Sequence, residues 1–216
     1  MQLIAILIEG TWITVQITTL AVLLAVLIGF LAGLMRLSSF WIVRSLATVY
    51  IEVFRGTSVL VQLFWIFYVL PLFGIRFDAF TVGWLTLGLN AGAYGAEVVR
   101  GGILSVHFSQ YEAATALNMG KWKSLRRIII PQALPNMVPP WGNLFIELLK
   151  ATSLVSLITI ADVTFRAKQL IDQTFQTEEI FLIVLFIYLT IALFITAVMR
   201  IVERRLSRGL DRGGLK

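Results

Sequence analysis

The sequence predicts an all-α, polytopic membrane protein with about five transmembrane helices. Three observations carry that prediction. Of the 216 residues, 58% belong to the hydrophobic set and 14% are charged, where a soluble domain has about a quarter charged. Uncharged windows of roughly 20 residues, the length that crosses a hydrocarbon core, recur along the chain. Lysine and arginine gather between alternate windows, as the positive-inside rule requires of a multi-span protein.

The first window, Gly10–Met35, lies between Glu9 and Arg36. It has no basic region before it and outruns the apolar core of a cleaved signal, so it reads as a span. Gly56–Ile75 follows between Arg55 and Arg76, Ala79–Ala96 between Asp78 and Glu97, and Ile180–Met199 between Glu179 and Arg200. A fourth span in chain order, about Met137–Ala161, is apolar but contains Glu147 and Lys150. Of 18 lysines and arginines, 14 fall on one side of these spans and three on the other, with Lys150 expected buried within the fourth. That bias predicts the amino terminus outside and the carboxyl terminus in the cytoplasm. Trp12, Trp41, Trp65, Trp84, Trp122 and Tyr188 sit mostly near span ends, as interfacial aromatics do.

The formal charge of +6 does not indicate nucleic acid, because the basic residues punctuate apolar runs instead of covering a wetted face. With no cysteine and one histidine, a thiolate or multi-histidine metal site is excluded. No repeat or low-complexity tract interrupts the chain, and its connections are short. One transmembrane domain over 1–216 is expected, with a single long cytoplasmic segment over about 101–135.

Within that segment Ser109 reads as an N-cap and Glu112, three residues on, completes a capping-box pattern. A short helix of small residues follows, and Asn118 and Gly120 are the types best suited to a left-handed helix end. Lys121 to Arg127 is a basic amphipathic run. Pro131, Pro135, Pro139 and Pro140 are expected to hold off a regular helix until the fourth span is under way. Ala113 and Ala114 give this helix a flat face that a protein can approach closely; spacing alone leaves docking and simple linkage equally open.

Polar groups inside the spans mark either helix contacts or a solute path. Asn90, near the middle of the third span, either bonds a neighbouring helix or faces a polar cavity. Gln62 has the same two readings. Glu97 precedes Arg100 by three and can pair with it along one helix face, or meet a cationic solute group. Glu147 and Lys150 are likewise three apart, which fits mutual compensation or a gate at Lys150. Gly88 and Gly92, and Ala91 and Gly95, form small-residue faces for close helix packing.

Glu112-Ala113-Ala114, with Ile128 and Pro131 downstream, resembles the EAA loop of the permease subunits of ATP-binding-cassette importers; Asn118 and Ile130 depart from its Gly and Leu. Arg55-Gly56-Thr57-Ser58, Ala93 to Gly102, Pro131-Gln132-Ala133 and Lys150 to Leu154 resemble stretches of the polar-amino-acid uptake branch, with Ser58 in place of Pro. The likeness runs through nearly the whole chain in order.

The resemblance implies a MetI-like ABC importer permease fold in the bacterial inner membrane. It implies a second permease half, identical or homologous, two ATPase subunits docked on Glu112, Ala113, Ala114, Asn118 and Gly120, and an extracytoplasmic solute-binding protein. ATP and Mg would be bound by the ATPase and no cofactor by this chain, which has no phosphate loop. A small polar solute would pass Asn90, Glu97, Gln62, Lys150 and, at the outer gate, Asp162, which alternatively caps the outer helix in solvent. The stretches at 93–102 and 162–170 are similar to those of ectoine-type subunits. Two readings from other classes compete: a stand-alone channel or secondary transporter, and a structural membrane anchor.

Overall fold

The computed structural model describes residues 2–207; Arg208, Arg212 and Lys216, counted above in the charge bias, lie outside them. Nine helices follow one another among the described residues, with no strand. The first, α1 (Gln2–Arg36), starts well before the expected Gly10 because nothing but Glu9 interrupts the apolar run. Its 35 residues extend about 50 Å, longer than the hydrocarbon core of about 30 Å.

The second span differs from expectation. It is a bent pair, α2 (Trp41–Gly56) and α3 (Val59–Phe64), the latter continuing through a π-helical turn, Trp65–Val69, and a 3-10 turn, Leu70–Phe73. The two parts meet at 103°. Thr57 (φ −121°, ψ 151°) and Ser58 (φ −68°, ψ 134°) are extended, which ends one helix and restarts the next. Such a break survives at membrane depth only where protein groups take up the freed carbonyls.

The central helix is α4 (Ala79–Leu104), capped by Asp78, whose carboxylate accepts from the Thr81 N–H at 3.0 Å. It runs parallel to α1, packing Gly88 on Leu24 and Ala21, and Gly92 on Ile28. The small faces anticipated at Gly88, Gly92 and Gly95 are therefore used. Half of α4 is buried against protein, and it is not among the three stretches long and apolar enough to span by themselves, two of which are α1 and α9 (Thr177–Ser207).

The third is Lys121–Ile158, and it corrects the reading of the prolines. After α5 (Phe108–Ala116) and α6 (Lys121–Ser124) comes a π-helical turn, Leu125–Ile129, and then α7 (Ile130–Ala151) continues straight through Pro135, Pro139 and Pro140. Pro131 sits in the first turn, where its missing N–H is not needed. The others are tolerated because a membrane helix can have its freed carbonyls met by neighbouring groups. Trp141 from α7 lies against Gly29 of α1 and Gly95 of α4; a Cβ at Gly29 would come within 2.8 Å of the indole, and one at Gly95 would overlap it. A 3-10 turn, Thr152–Ile158, leads to α8 (Val163–Thr174), which packs on the start of α1 and on α9.

Candidate functional site

Where α2 breaks, its last carbonyls need donors. Gln62 of α3 donates through Nε2 to the Phe54 carbonyl at 2.9 Å and to Thr57 Oγ1 at 2.7 Å. Asn90 of α4 donates through Nδ2 to the same Phe54 carbonyl at 2.9 Å and to Gln62 Oε1 at 3.1 Å. Tyr50 Oη donates to the Leu89 carbonyl at 2.6 Å one turn earlier. Both sequence-derived residues, Asn90 and Gln62, thus brace the break, and Asn90 also lines a cavity.

That cavity has a volume of about 260 Å³ and opens between α3, α4 and α7. Val59, Leu87, Leu144 and Leu148 form its apolar part, and Asn90, Tyr94 and Glu147 its polar part. The Arg55 guanidinium lies over the Tyr94 ring, 5.3 Å from its centroid. Arg55 and Glu147 are exposed, and among the described residues neither forms an ion pair. A cation and a carboxylate so placed complement the two ends of a zwitterion. Sequence reasoning passed over Arg55 and Tyr94 as site residues; the signal was an arginine set directly before a helix-breaking Gly-Thr-Ser.

Lys150 corrects an expectation. It is exposed instead of buried, and no ion pair joins it to Glu147. Together with Asn136 and Asn143, both residues belong to an exposed polar stripe along α7. The spacing 136, 143, 147, 150 keeps that stripe on one helix face. Asn136 donates to Ser105 Oγ at 3.0 Å and Glu147 lines the cavity, while Asn143 and Lys150 have no side-chain partner among the described residues.

Glu97 lies about one turn beyond Tyr94 along α4 and belongs to a different group. It pairs with Arg36 at the end of α1 and with Arg100 of its own helix at 2.9 Å, while Arg36 also reaches Glu52 of α2 at 3.4 Å. The anticipated Glu97–Arg100 pair forms, and Arg36 joins it to tie α1, α2 and α4 together. Glu97 is not among the residues lining the cavity.

Asp162 is fully buried, not solvated. Its carboxylate accepts from the backbone N–H groups of Phe165 at 2.9 Å and Thr164 at 3.2 Å, capping α8. Burial pushes its carboxyl up to about 6, opposed by those backbone donors. It too lies apart from the cavity lining.

In the segment over 101–135 the cap is shifted from the expected position. His107, not Ser109, is the N-cap of α5: its Nδ1 accepts from the Ser109 N–H at 3.3 Å and stands 2.8 Å from Ser109 Oγ. The helix begins one residue after this histidine, so Ser109 and Glu112 fall inside it. Its far end closes as a Schellman motif, Met119 N–H to the Ala114 carbonyl at 3.0 Å and Asn118 N–H to the Thr115 carbonyl at 2.9 Å. Asn118 takes φ +53°, the left-handed conformation anticipated for it. Gly120 does not; it is extended at φ −61°, ψ 150°, and starts α6.

The flat face splits as well. Ala113 and Glu112 are exposed beside Phe108 and Leu117, whereas Ala114 is 1% exposed and seats the helix on the body of the protein. Tyr111 Oη donates to the Ile103 carbonyl at 3.2 Å, and Gln132 Nε2 of α7 to Gln110 Oε1 at 3.2 Å. The segment is therefore bonded both to the end of α4 and to the start of the helix that carries Glu147.

Residues 25–208 match the model of the family described as binding-protein-dependent transport system inner membrane component. The chain belongs to that family. It is a permease subunit of an ATP-binding-cassette importer, a transport component of the inner membrane, and ATP hydrolysis belongs to a separate ATPase subunit. An ATPase, a permease partner and a binding protein complete such a system.

The chain is 45% identical over 206 residues to a probable amino-acid ABC transporter permease protein, y4tF, of Sinorhizobium fredii, covering 93% of this chain and 87% of that one. It is 40% identical to the glutamine transport system permease protein GlnP of Escherichia coli, covering 94% of each. A crystal structure of an amino acid ABC transporter with histidines superposes at TM-score 0.86 and 40% identity, over 93% of this chain and 94% of that one. The MetNI methionine transporter in an inward-facing conformation shares the fold at TM-score 0.77 and 18% identity, over 95% and 98%. A stand-alone channel or a passive anchor does not fit this family.

Proposed function

We propose that this permease carries a polar amino acid or related zwitterion, with the cavity at Asn90, Tyr94 and Glu147 as its part of the path. The observation that carries the proposal is Glu147 in the lining of that cavity and Arg55 over its Tyr94, neither in an ion pair among the described residues. Arg55 would receive the solute carboxylate and Glu147 its ammonium, each as a charge-assisted bond. The relatives support this class, since their names carry glutamine, L-cystine and octopine. Asn90 and Gln62 would hold the break that shapes the cavity, Lys150 would extend the polar stripe, and Glu97 and Asp162 would fix the inner and outer ends of the bundle.

The exposed polar stripe of α7 supports a second permease half, identical or homologous, facing it. Two ATPase subunits, which would hold ATP and Mg, would dock on the α5 faces of the paired halves, leaving this chain without a cofactor. Closure of the ATPases would press α5 at Glu112 and Ala113, and the Gln110–Gln132 bond would carry that movement into α7 and the cavity. An extracytoplasmic binding protein would deliver the solute.

The test is uptake of radiolabelled glutamine, cystine, octopine and ectoine into cells carrying this chain with its ATPase and binding protein. Competition by zwitterions, and at least about tenfold slower uptake in Arg55→Gln and Glu147→Gln, is the expected result. Uptake that ignores both substitutions contradicts the assignment of the cavity.

A further inference from the structure

Phe175 joins α8 to α9 in a left-handed conformation, φ +58° and ψ 15°. This position closes the helix, its N–H donating to the Ile171 carbonyl at 2.8 Å. Gly or Asn takes such a position without strain, and a bulky side chain there is a genuine outlier. The ring is 86% exposed. Nothing in α8 or α9 gains from it, so the chain holds a strained aromatic away from its own body.

Its surroundings are acidic and polar. Asp172, Gln173, Gln176, Glu178 and Glu179 are all exposed on the same few residues of chain, with Lys168 the one exposed cation nearby among the described residues. Three exposed carboxylates within four residues of Phe175 oppose insertion among anionic lipid headgroups. An exposed aromatic rimmed by polar groups is instead the pattern of an anchor in a protein interface. The corner lies at the far end of α7 from α5, so it faces away from the ATPase side.

We propose that Phe175 anchors the solute-binding protein, entering an apolar pocket of that protein rimmed by lysine or arginine. This rests on the reading that a binding protein delivers the solute to this permease. The test places p-benzoyl-phenylalanine at position 175 in the assembled transporter in intact cells, with adducts identified by mass spectrometry after irradiation. The expected adduct joins this chain to an exported solute-binding protein; an adduct to phospholipid or a permease chain only, or no adduct, overturns the proposal.

Phe175→Gly supplies the quantitative arm, since it removes the ring and relieves the backbone, so the variant has no reason to misfold. The captured binding protein is expected to bind the Phe175→Gly transporter in nanodiscs about 30-fold more weakly, with ATP hydrolysis in its absence unchanged. Unchanged affinity overturns the anchor alone, provided that the binding protein still stimulates hydrolysis. Failure of every binding protein to stimulate the unsubstituted transporter would instead count against the delivery reading.

Discussion

The side-chain amide of Asn90 donates a hydrogen bond to the backbone carbonyl of Phe54 at 2.9 Å, across the break between α2 and α3. Gln62 donates to the same oxygen, so the carbonyl is met from both flanking helices. Asn90→Leu leaves one donor and is expected to cost about 1–2 kcal/mol, read as a lower unfolding temperature in detergent. Adding Gln62→Leu strips the carbonyl of both side-chain donors. The double variant should depart from the sum of the two single losses, because the groups share one acceptor and also bond each other.

Glu97 holds Arg36 and Arg100 together. Glu97→Gln leaves two arginines facing each other and should destabilise by roughly 1–2 kcal/mol, reduced from a deeply buried pair by partial solvent access. Adding Arg36→Gln should restore part of that loss. Thermal unfolding of the unsubstituted chain, both single variants and the double variant measures it, and full additivity would show that Arg36 and Glu97 do not interact.

The two alanines of α5 predict opposite defects. Ala113→Trp adds bulk on an exposed face, so the chain should insert and fold normally while solute-stimulated ATP hydrolysis is lost. Ala114→Trp forces a ring into a buried seat and should reduce the amount of folded protein itself. Asn118→Val, at φ +53°, should cost about 1–2 kcal/mol, whereas Asn118→Gly should be tolerated. Membrane abundance and stimulated hydrolysis, measured together, separate these outcomes.

Much of this was legible in the residues, and the exceptions have physical causes. The terminal spans were clear because a lipid-facing helix such as α9 must be apolar throughout. The bend was hidden because hydropathy averages over a break whose carbonyls are met by Asn90 and Gln62. The prolines misled because the local rule assumes water and an isolated helix, whereas α7 is supported along its length by α4 and α9. Glu147 and Lys150 have the spacing of a pair but form none, since Glu147 lines the cavity and Lys150 is exposed, and only a solute or a second molecule gives those placements a use. Asn118 was readable from chemistry alone, since a left-handed helix end tolerates few residues besides Gly.

Asp162 gives the α8 end of the fold a pH dependence. Its carboxyl is raised from 3.8 to about 6 by burial, so the folded chain holds the proton more tightly than the unfolded one. The resulting stabilisation is fully present below pH 3.8 and is lost as the pH rises through about 6. Asp162→Asn should flatten the stability profile across that window. An unchanged slope would assign the pH dependence to another group.

The chain contains no cysteine, so a cysteine introduced as Ala113→Cys is a unique label on the exposed face of α5. The direct measurement is cross-linking from that position, with a short bifunctional maleimide, to the ATPase in the assembled transporter. The expected result is a cross-link to the ATPase whose yield changes on ATP binding, with Ser153→Cys at the far end of the fourth span giving none. Labelling of position 113 by a soluble maleimide that is equally fast with and without the ATPase, with no cross-link formed, would contradict it.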